Sequence, residues 1–170
     1  RSSGEFQDRK IEGDFNLTEN ERALIQSVSD AVHKDGKKVV VILNIGGVIE
    51  TASWKSEPDA ILLAWQAGQE GGNTVADILS GKVNPSGKLP MTFPVSIADV
   101  AATKNFPDAS GIDLKEMLAG FMGGGPEHTD RKNIDYTNYE EGIYVGYRYF
   151  DTFGVPVSYP FGYGQSYTTF

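Results

Sequence analysis

Lys38-Val-Val-Val-Ile-Leu-Asn44 is the stretch that decides the fold, because it is short, continuous and rich in β-branched residues. A run of this kind predicts a strand that is buried on both faces, as the strands of parallel sheets are. Gly46-Gly47 ends it, and Asp59-Ala-Ile-Leu-Leu-Ala-Trp65 repeats the pattern as a second strand. The polar, glycine-rich residues 66–72 then predict a turn.

Helices flank these two strands. Thr18-Glu-Asn-Glu21 has the form of a capping box, and it predicts a helix over about 19–35 that ends at Gly36. One apolar face is expected on that helix, with the spacing of Leu24, Ile25, Val28, Ala31 and Val32. Residues 73–80 predict a second helix, whose inward side chains would be Val75, Ile78 and Leu79.

Strands that alternate with helices predict an α/β fold with a mostly parallel open sheet and helices on both faces, a three-layer α/β/α sandwich. Only two central strands are evident, whereas sheets usually contain about 4–6. We therefore expect residues 1–170 to form a single domain that is partial and lacks its first strands.

The pattern changes after Asn84-Pro-Ser-Gly87. Prolines make Lys88–Pro94 extended, and residues 95–140 look irregular around Gly123-Gly-Gly-Pro126. The aromatic-rich segment Tyr144–Asp151 is compatible with a short helix or with a strand. Lys88 and Lys104 have the character of ordinary solvated charges.

Composition excludes several classes of function. The chain has 15 Lys and Arg against 23 Asp and Glu, a net charge of -8, which argues against nucleic acid as a partner. It has no cysteine, so disulfides, thiolate zinc sites and cysteine nucleophiles are excluded. His33 and His128 are too far apart in sequence to indicate a metal site, and the glycines at 68, 71 and 72 are not followed by the Gly-Lys-Ser/Thr of a phosphate loop. No cofactor and no membrane span is predicted, and the compartment is left open.

Nine segments, in one order along the chain, resemble the C-terminal α/β-sandwich domain of glycoside hydrolase family 3, which contains β-glucosidases and β-xylosidases. No single segment is specific, but their shared order is. They are Arg1-Ser-Ser-Gly-Glu-Phe-Gln-Asp-Arg9, Gly13-Asp-Phe-Asn-Leu17, Lys38–Asn44, Ala64-Trp-Gln-Ala-Gly-Gln-Glu-Gly-Gly72, Ala76-Asp-Ile-Leu-Ser-Gly81, Asn84-Pro-Ser-Gly-Lys-Leu-Pro90, Thr92-Phe-Pro94, Tyr139-Glu-Glu-Gly-Ile-Tyr-Val-Gly-Tyr-Arg-Tyr-Phe-Asp151 and Tyr159-Pro-Phe-Gly-Tyr-Gly-Gln-Ser-Tyr167.

The resemblance implies an exo-acting, retaining enzyme for β-glycosides, β-glucosides foremost, with a β-linked oligosaccharide or glycoside as substrate. It implies that Glu5, within Ser3-Gly4-Glu5 and ahead of Asp8-Arg9, is the general acid/base. The family's nucleophile is an Asp on a preceding (β/α)8 barrel, which no residue here matches, so the isolated chain is expected to be inactive. Phe6-Gln7 departs from the glycine that many members carry after the acid/base.

The residues themselves leave alternatives open. Asp8 and Arg9 either orient the loop or form a structural ion pair. Trp65, Gln66 and Glu70 either contact sugar or serve a strand-to-helix turn that Gln69 or Glu70 caps. A C-terminal aromatic cluster either stacks on sugar rings or packs under the sheet or against the barrel, and it comprises Tyr144, Tyr147, Tyr149, Phe150, Phe153, Tyr159, Phe161 and Tyr163. The alternative function is a non-catalytic carbohydrate-binding or domain-interface module.

Overall fold

The computed structural model describes residues 11–104 and 138–169. Helix α1, Glu19–Lys34, begins at the predicted capping box: the Glu21 amide donates to Thr18 Oγ1 over 3.3 Å, and the Thr18 amide donates to Glu21 Oε2 over 2.9 Å. Its C-cap residue is Asp35. Gly36 follows with φ +66°, a left-handed conformation that glycine adopts readily. The predicted helix is confirmed to within one residue at its end.

The apolar face of α1 is split, which corrects the sequence prediction. Ile25 packs against the core and Ser29 is buried on the same side, whereas Leu24 is 61% exposed and Val28 41% exposed. The helix therefore faces the core through Ile25 and Ser29, each one position after the exposed residues Leu24 and Val28. Because the buried residue Ser29 is polar, the spacing of apolar residues alone could not identify this face.

Strands β1, Val40–Leu43, and β2, Ala60–Leu63, pair in parallel, with Val40 opposite Ala60 and Leu43 opposite Leu63. The parallel pairing was predicted and is confirmed. Burial on both faces was predicted and is wrong for β1, because Val40 and Ile42 are 41% and 44% exposed. No described element covers that face of the pair.

The hydrophobic core lies on the opposite face of the β1–β2 pair. Its buried side chains form one cluster: Leu43, Ile45, Ile49 and Trp54. Trp54 has no exposed surface, and its indole Nε1 donates to the Glu50 carbonyl over 2.8 Å. The loop after β1 thus contributes as much to the core as the strands do.

Helix α2, Gly71–Leu79, follows β2 and begins two residues earlier than predicted. Val75 and Ile78 are partly buried as expected, but Leu79 is 48% exposed and its predicted inward orientation is wrong. Among the described helices, none is both long enough and apolar enough to cross a membrane.

The second half of the chain adds a small antiparallel pair and a helix. Strand β3, Phe93–Pro94, pairs with β4, Val157–Tyr159, and helix α3 spans Tyr147–Phe153. The segment that was compatible with helix or strand is therefore mainly a helix. The described residues just after β3 form two short 3-10 turns, Ile97–Asp99 and Ala101–Lys104. A buried hydrogen bond of 2.7 Å between the hydroxyls of Thr51 and Ser158 joins β4 to the core loop.

Residues 163–167 are hydrogen-bonded to residues 84–89. The Leu89 amide donates to the Tyr163 carbonyl over 2.8 Å, and the Tyr167 amide donates to Asn84 Oδ1 over 2.8 Å. Lys88 is exposed, as predicted for a solvated charge, and its ammonium also donates to the Gly164 carbonyl. A Cβ on Gly164 would lie 2.4 Å from the Gly87 carbonyl oxygen, so only glycine permits this approach.

Asp59 joins helix α1, the loop before β1 and the start of β2. Its carboxylate accepts from Lys38 Nζ over 2.7 Å and from the Val39 amide over 2.8 Å, and it lies 2.8 Å from His33 Nε2. The hydrogen bond from Lys38, then that from the Val39 amide and then that from His33 hold the pKa of Asp59 far below its usual range. The ionised form of Asp59 therefore stabilises the contacts among these three segments.

Asp59→Asn is expected to lower the thermal midpoint of the full-length polypeptide at neutral pH. Because the pKa is lowered on folding, the carboxylate stabilises the fold above its unfolded pKa of about 3.9 and loses this effect as the pH falls toward the folded pKa. The midpoints of variant and wild type, measured by circular dichroism against pH, should therefore converge only in strong acid. Asp35→Asn is the matched control, since Asp35 is 69% exposed. A constant difference down to that acid range would contradict the assignment.

Candidate active site

The predicted acid/base Glu5, with Asp8 and Arg9, lies outside the described residues, as does His128. The first buried residue after Glu5 in the described part of the chain is Phe15, which anchors this segment to the domain. Phe15 is 2% exposed, and its carbonyl accepts from the Glu50 amide over 2.8 Å. Glu5 precedes this anchor by 10 positions, which limits its distance from Phe15 to about 35 Å.

A tight turn over Ile11–Phe15 leads into the anchor. Gly13 has φ +88°, which a residue with a side chain rarely adopts. The Asn16 amide donates to the Ile11 carbonyl over 2.7 Å, and Asn16 Nδ2 donates to Glu12 Oε1 over 2.7 Å. These contacts fix the conformation of the described residues that immediately precede the anchor.

An open cavity of about 640 Å³ lies beside this anchor. Polar and charged residues line it together with apolar ones: Glu12, Asn16, Leu17, Glu19, Arg22, Glu50, Ala52, Ser53 and Val95. The polar groups among them can hydrogen-bond to the hydroxyls of a sugar. Glu12, on the edge of this cavity, is seven positions from the predicted acid/base Glu5 in sequence.

Arg22, in one wall of the cavity, contacts two other side chains. Its Nη1 donates to Ser53 Oγ over 2.9 Å, and its Nη2 lies 2.8 Å from Glu57 Oε1. Glu50 in turn accepts from the Ser53 amide over 2.6 Å and from the Ser53 hydroxyl over 2.8 Å. Sequence reasoning missed these residues, because Arg22 and its partners are far apart in the chain and form no recognisable motif.

The carboxyl end of β2 does not join this cavity. Trp65 is partly buried, packs on the core cluster and has its ring centroid 6.3 Å from that of Phe93. Its φ of 51° is unusual for a residue with a side chain and places it in a sharp turn. None of Trp65, Gln66 and Glu70 is among the described residues that line the cavity. Of the two alternatives for this segment, the strand-to-helix turn fits the structure.

The capping detail of that turn differs from the prediction. Glu70 occupies the N-cap position of α2, but its side chain makes no capping hydrogen bond. Glu70 Oε2 accepts from Asn73 Nδ2 over 2.7 Å instead. His33, predicted at a helix C-terminus, lies there and contacts Asp59 as described above.

The aromatic cluster packs largely against itself. Tyr149 and Phe153 have ring centroids 5.3 Å apart, and Tyr147 and Phe161 stack at 4.6 Å with an angle of 28°. Phe150 is buried, but Tyr147 and Phe161 remain 43% and 48% exposed. Burial, and to a smaller extent the charge of Tyr163, raises the pKa of Tyr159. The cluster is thus a packed layer with partly exposed rings at its edge.

Comparison with known proteins places the chain in a family. The model of the glycosyl hydrolase family 3 C-terminal domain matches residues 1–147. The chain belongs to this family. The match includes both Glu5 and the anchor at Phe15.

Several curated and solved members of the family are similar to this chain. Beta-glucosidase A of Butyrivibrio fibrisolvens is 41% identical over 93% of the chain and 16% of the relative. An exo-alpha-(1->6)-L-arabinopyranosidase of Bifidobacterium longum is 39% identical over 87% of the chain and 16% of the relative. The structure of beta-glucosidase 3B from Thermotoga neapolitana in complex with glucose is 49% identical with a TM-score of 0.82, over 99% of this chain and 21% of that one. The chain thus spans about a fifth or less of the length of these relatives.

Proposed function

We propose that this chain is the C-terminal-domain part of a β-glucosidase and that it supplies the general acid/base, Glu5, to an active site shared with a (β/α)8 barrel. The observation that carries the proposal is the likeness, over almost the whole chain, to a β-glucosidase structure that contains glucose. The family match and the β-glucosidases among the relatives support it. The domain would be completed by strands outside this chain to a three-layer α/β/α sandwich.

The proposed mechanism uses two carboxylates. Glu5 protonates the leaving oxygen while an Asp of the barrel attacks the anomeric carbon, and the two groups lie about 5–5.5 Å apart in retaining enzymes. Glu5 then acts as the base that activates water, so its pKa has to lie near the working pH. Ser3-Gly4-Glu5 places the acid on a glycine-bearing loop, which can approach a neighbouring pocket closely.

The described residues give this loop a firm base. Phe15 is buried and hydrogen-bonded to the Glu50 amide, and Arg22 braces the wall behind it. A segment that is fixed at one end has less conformational freedom to lose when it is ordered for reaction. This is the contribution we assign to the anchor.

The test is hydrolysis of an aryl β-D-glucoside by the full-length polypeptide, followed by ¹H NMR of the first anomer released. Retention of the β configuration is expected, since a covalent intermediate inverts the centre twice. An aryl α-L-arabinopyranoside measured in parallel decides whether the sugar preference follows the β-glucosidases or the arabinopyranosidases among the relatives. Release of the α-anomer, or no hydrolysis of either substrate, would contradict the proposal.

A second candidate is a non-catalytic carbohydrate-binding or domain-interface module. The partial exposure of the aromatic residues Tyr147 and Phe161 favours it. It predicts binding of glycosides without turnover by the full-length polypeptide, which the same assay distinguishes.

A further inference from the structure

The turn over Ile11–Phe15 is the described part of the chain that lies nearest to Glu5 in sequence. Within it Glu12 has φ -81° and ψ 125°, and Gly13 has φ +88° and ψ -20°. These angles are close to those of a type II β-turn, whose third residue needs a positive φ and is therefore usually glycine. Nothing in the proposed mechanism yet gives Gly13 a role.

Gly13 is required for its backbone conformation and not for lack of space. Apart from its neighbours in the chain, the described atom nearest to a Cβ at this position would be Thr18 Cγ2, at 3.9 Å, which is ordinary van der Waals contact. A β-branched residue at positive φ is, in contrast, a strong outlier. A substitution such as Gly13→Val therefore acts on the closure of the turn and leaves the packing around it in place.

The closed turn brings Ile11 back to the buried anchor. Asn16 directly follows Phe15, and its amide donates to the Ile11 carbonyl over 2.7 Å. Glu5 lies six positions before Ile11, so it can be no more than about 20 Å from this fixed point. In an opened turn the five steps from Ile11 to Asn16 could span up to about 17 Å, so the starting point of that reach would move by many ångströms.

Catalysis is sensitive to far smaller displacements. A general acid has to lie within hydrogen-bond reach of the leaving oxygen, and a misplacement of about 1 Å can cost about 100-fold in rate. We propose that Gly13 is a positioning residue for Glu5, because its positive φ closes the turn that holds Ile11 at the anchor. This inference rests on the role proposed for Glu5.

The test compares two classes of substrate in Gly13→Val of the full-length polypeptide. The kcat for an alkyl β-glucoside is expected to fall about 10- to 100-fold with little change in KM, since its leaving oxygen needs the acid. An activated aryl β-glucoside should lose much less in the burst of aryl alcohol that reports the first step. Azide should then raise its steady-state turnover. A purely structural role would lower both classes in proportion, because it would only reduce the amount of active enzyme.

Gly36→Val is the matched control. Gly36 also has a positive φ, +66°, and no described atom lies within 4 Å of a Cβ there, but it follows helix α1 and takes no part in the turn before the anchor. It should lower the thermal midpoint by a similar amount and leave the ratio of alkyl to aryl rates unchanged. Gly13→Asn should keep most of the alkyl activity, since asparagine tolerates positive φ. If Gly13→Val does not fold, Gly13→Ala is compared with Gly36→Ala in the same way.

Two results would overturn the proposal. One is an equal loss on both substrate classes in Gly13→Val. The other is an alkyl rate in Gly13→Val that matches that of Gly36→Val, as expected if the residues between Ile11 and Glu5 absorb the change. Glu5→Ala is measured in the same series. If it leaves alkyl hydrolysis unchanged, the proposed function fails, whereas a slow Glu5→Ala beside a normal Gly13→Val removes only the role of Gly13.

Discussion

Glu5→Ala in the full-length polypeptide is expected to slow the hydrolysis of alkyl β-glucosides by about 10²–10⁴-fold, the range over which a positioned general acid/base contributes. Aryl glucosides with good leaving groups should form the glycosyl-enzyme almost normally, since they need little protonation. Deglycosylation should then become slow, because no base activates water. The two classes of substrate therefore separate the acid role from the base role.

Azide provides the measurement that decides the role of Glu5. As a small anionic nucleophile it needs no general base, so it should restore turnover of the aryl glucoside by Glu5→Ala and give a β-glycosyl azide as product. Glu140→Ala is the matched control, because Glu140 is an exposed glutamate that does not line the cavity beside the anchor. Equal loss on both classes of substrate, or a variant as active as wild type, would remove Glu5 from the chemistry and favour the binding-module alternative.

Trp54→Ala is expected to destabilise the domain by about 3–5 kcal/mol, the usual cost of removing a large aromatic side chain from a core. Trp54 has no exposed surface and packs with Leu43, Ile45 and Ile49. Its loss would leave a cavity and would also leave the Glu50 carbonyl without its donor. Because the neighbouring Glu50 amide holds the anchor at Phe15, the damage should extend to the base of the Glu5 loop.

Thermal unfolding followed by circular dichroism measures this effect in the full-length polypeptide. Trp54→Phe should lose much less stability, since a ring still fills most of the space. Leu24→Ala is the surface control, because Leu24 is 61% exposed and such substitutions usually change stability by no more than about 0.5 kcal/mol. A Trp54→Ala midpoint close to that of Leu24→Ala would show that the cluster around Trp54 does not hold the domain together.

Local patterns in the sequence determined helices α1 and α2 and strands β1 and β2. The capping box at Thr18 and Glu21 is a contact between residues three apart, so it could be predicted from spacing alone. The β-branched run of β1 and its partner run likewise predicted a parallel pair. The family was also readable from the order of the matching segments, and with it the assignment of Glu5, which remains a prediction.

Only the tertiary structure decided which side chains are inside and which groups meet. Leu24 and Val40 have the residue types and spacing of core positions, yet they are exposed, because burial depends on what packs against them. The contacts of Arg22 with Ser53 and Glu57 depend on segments that folding brings together. Spacing along a chain specifies short-range contacts, but long-range contacts are set by the packing of whole elements, and the cavity beside the anchor is built from those contacts.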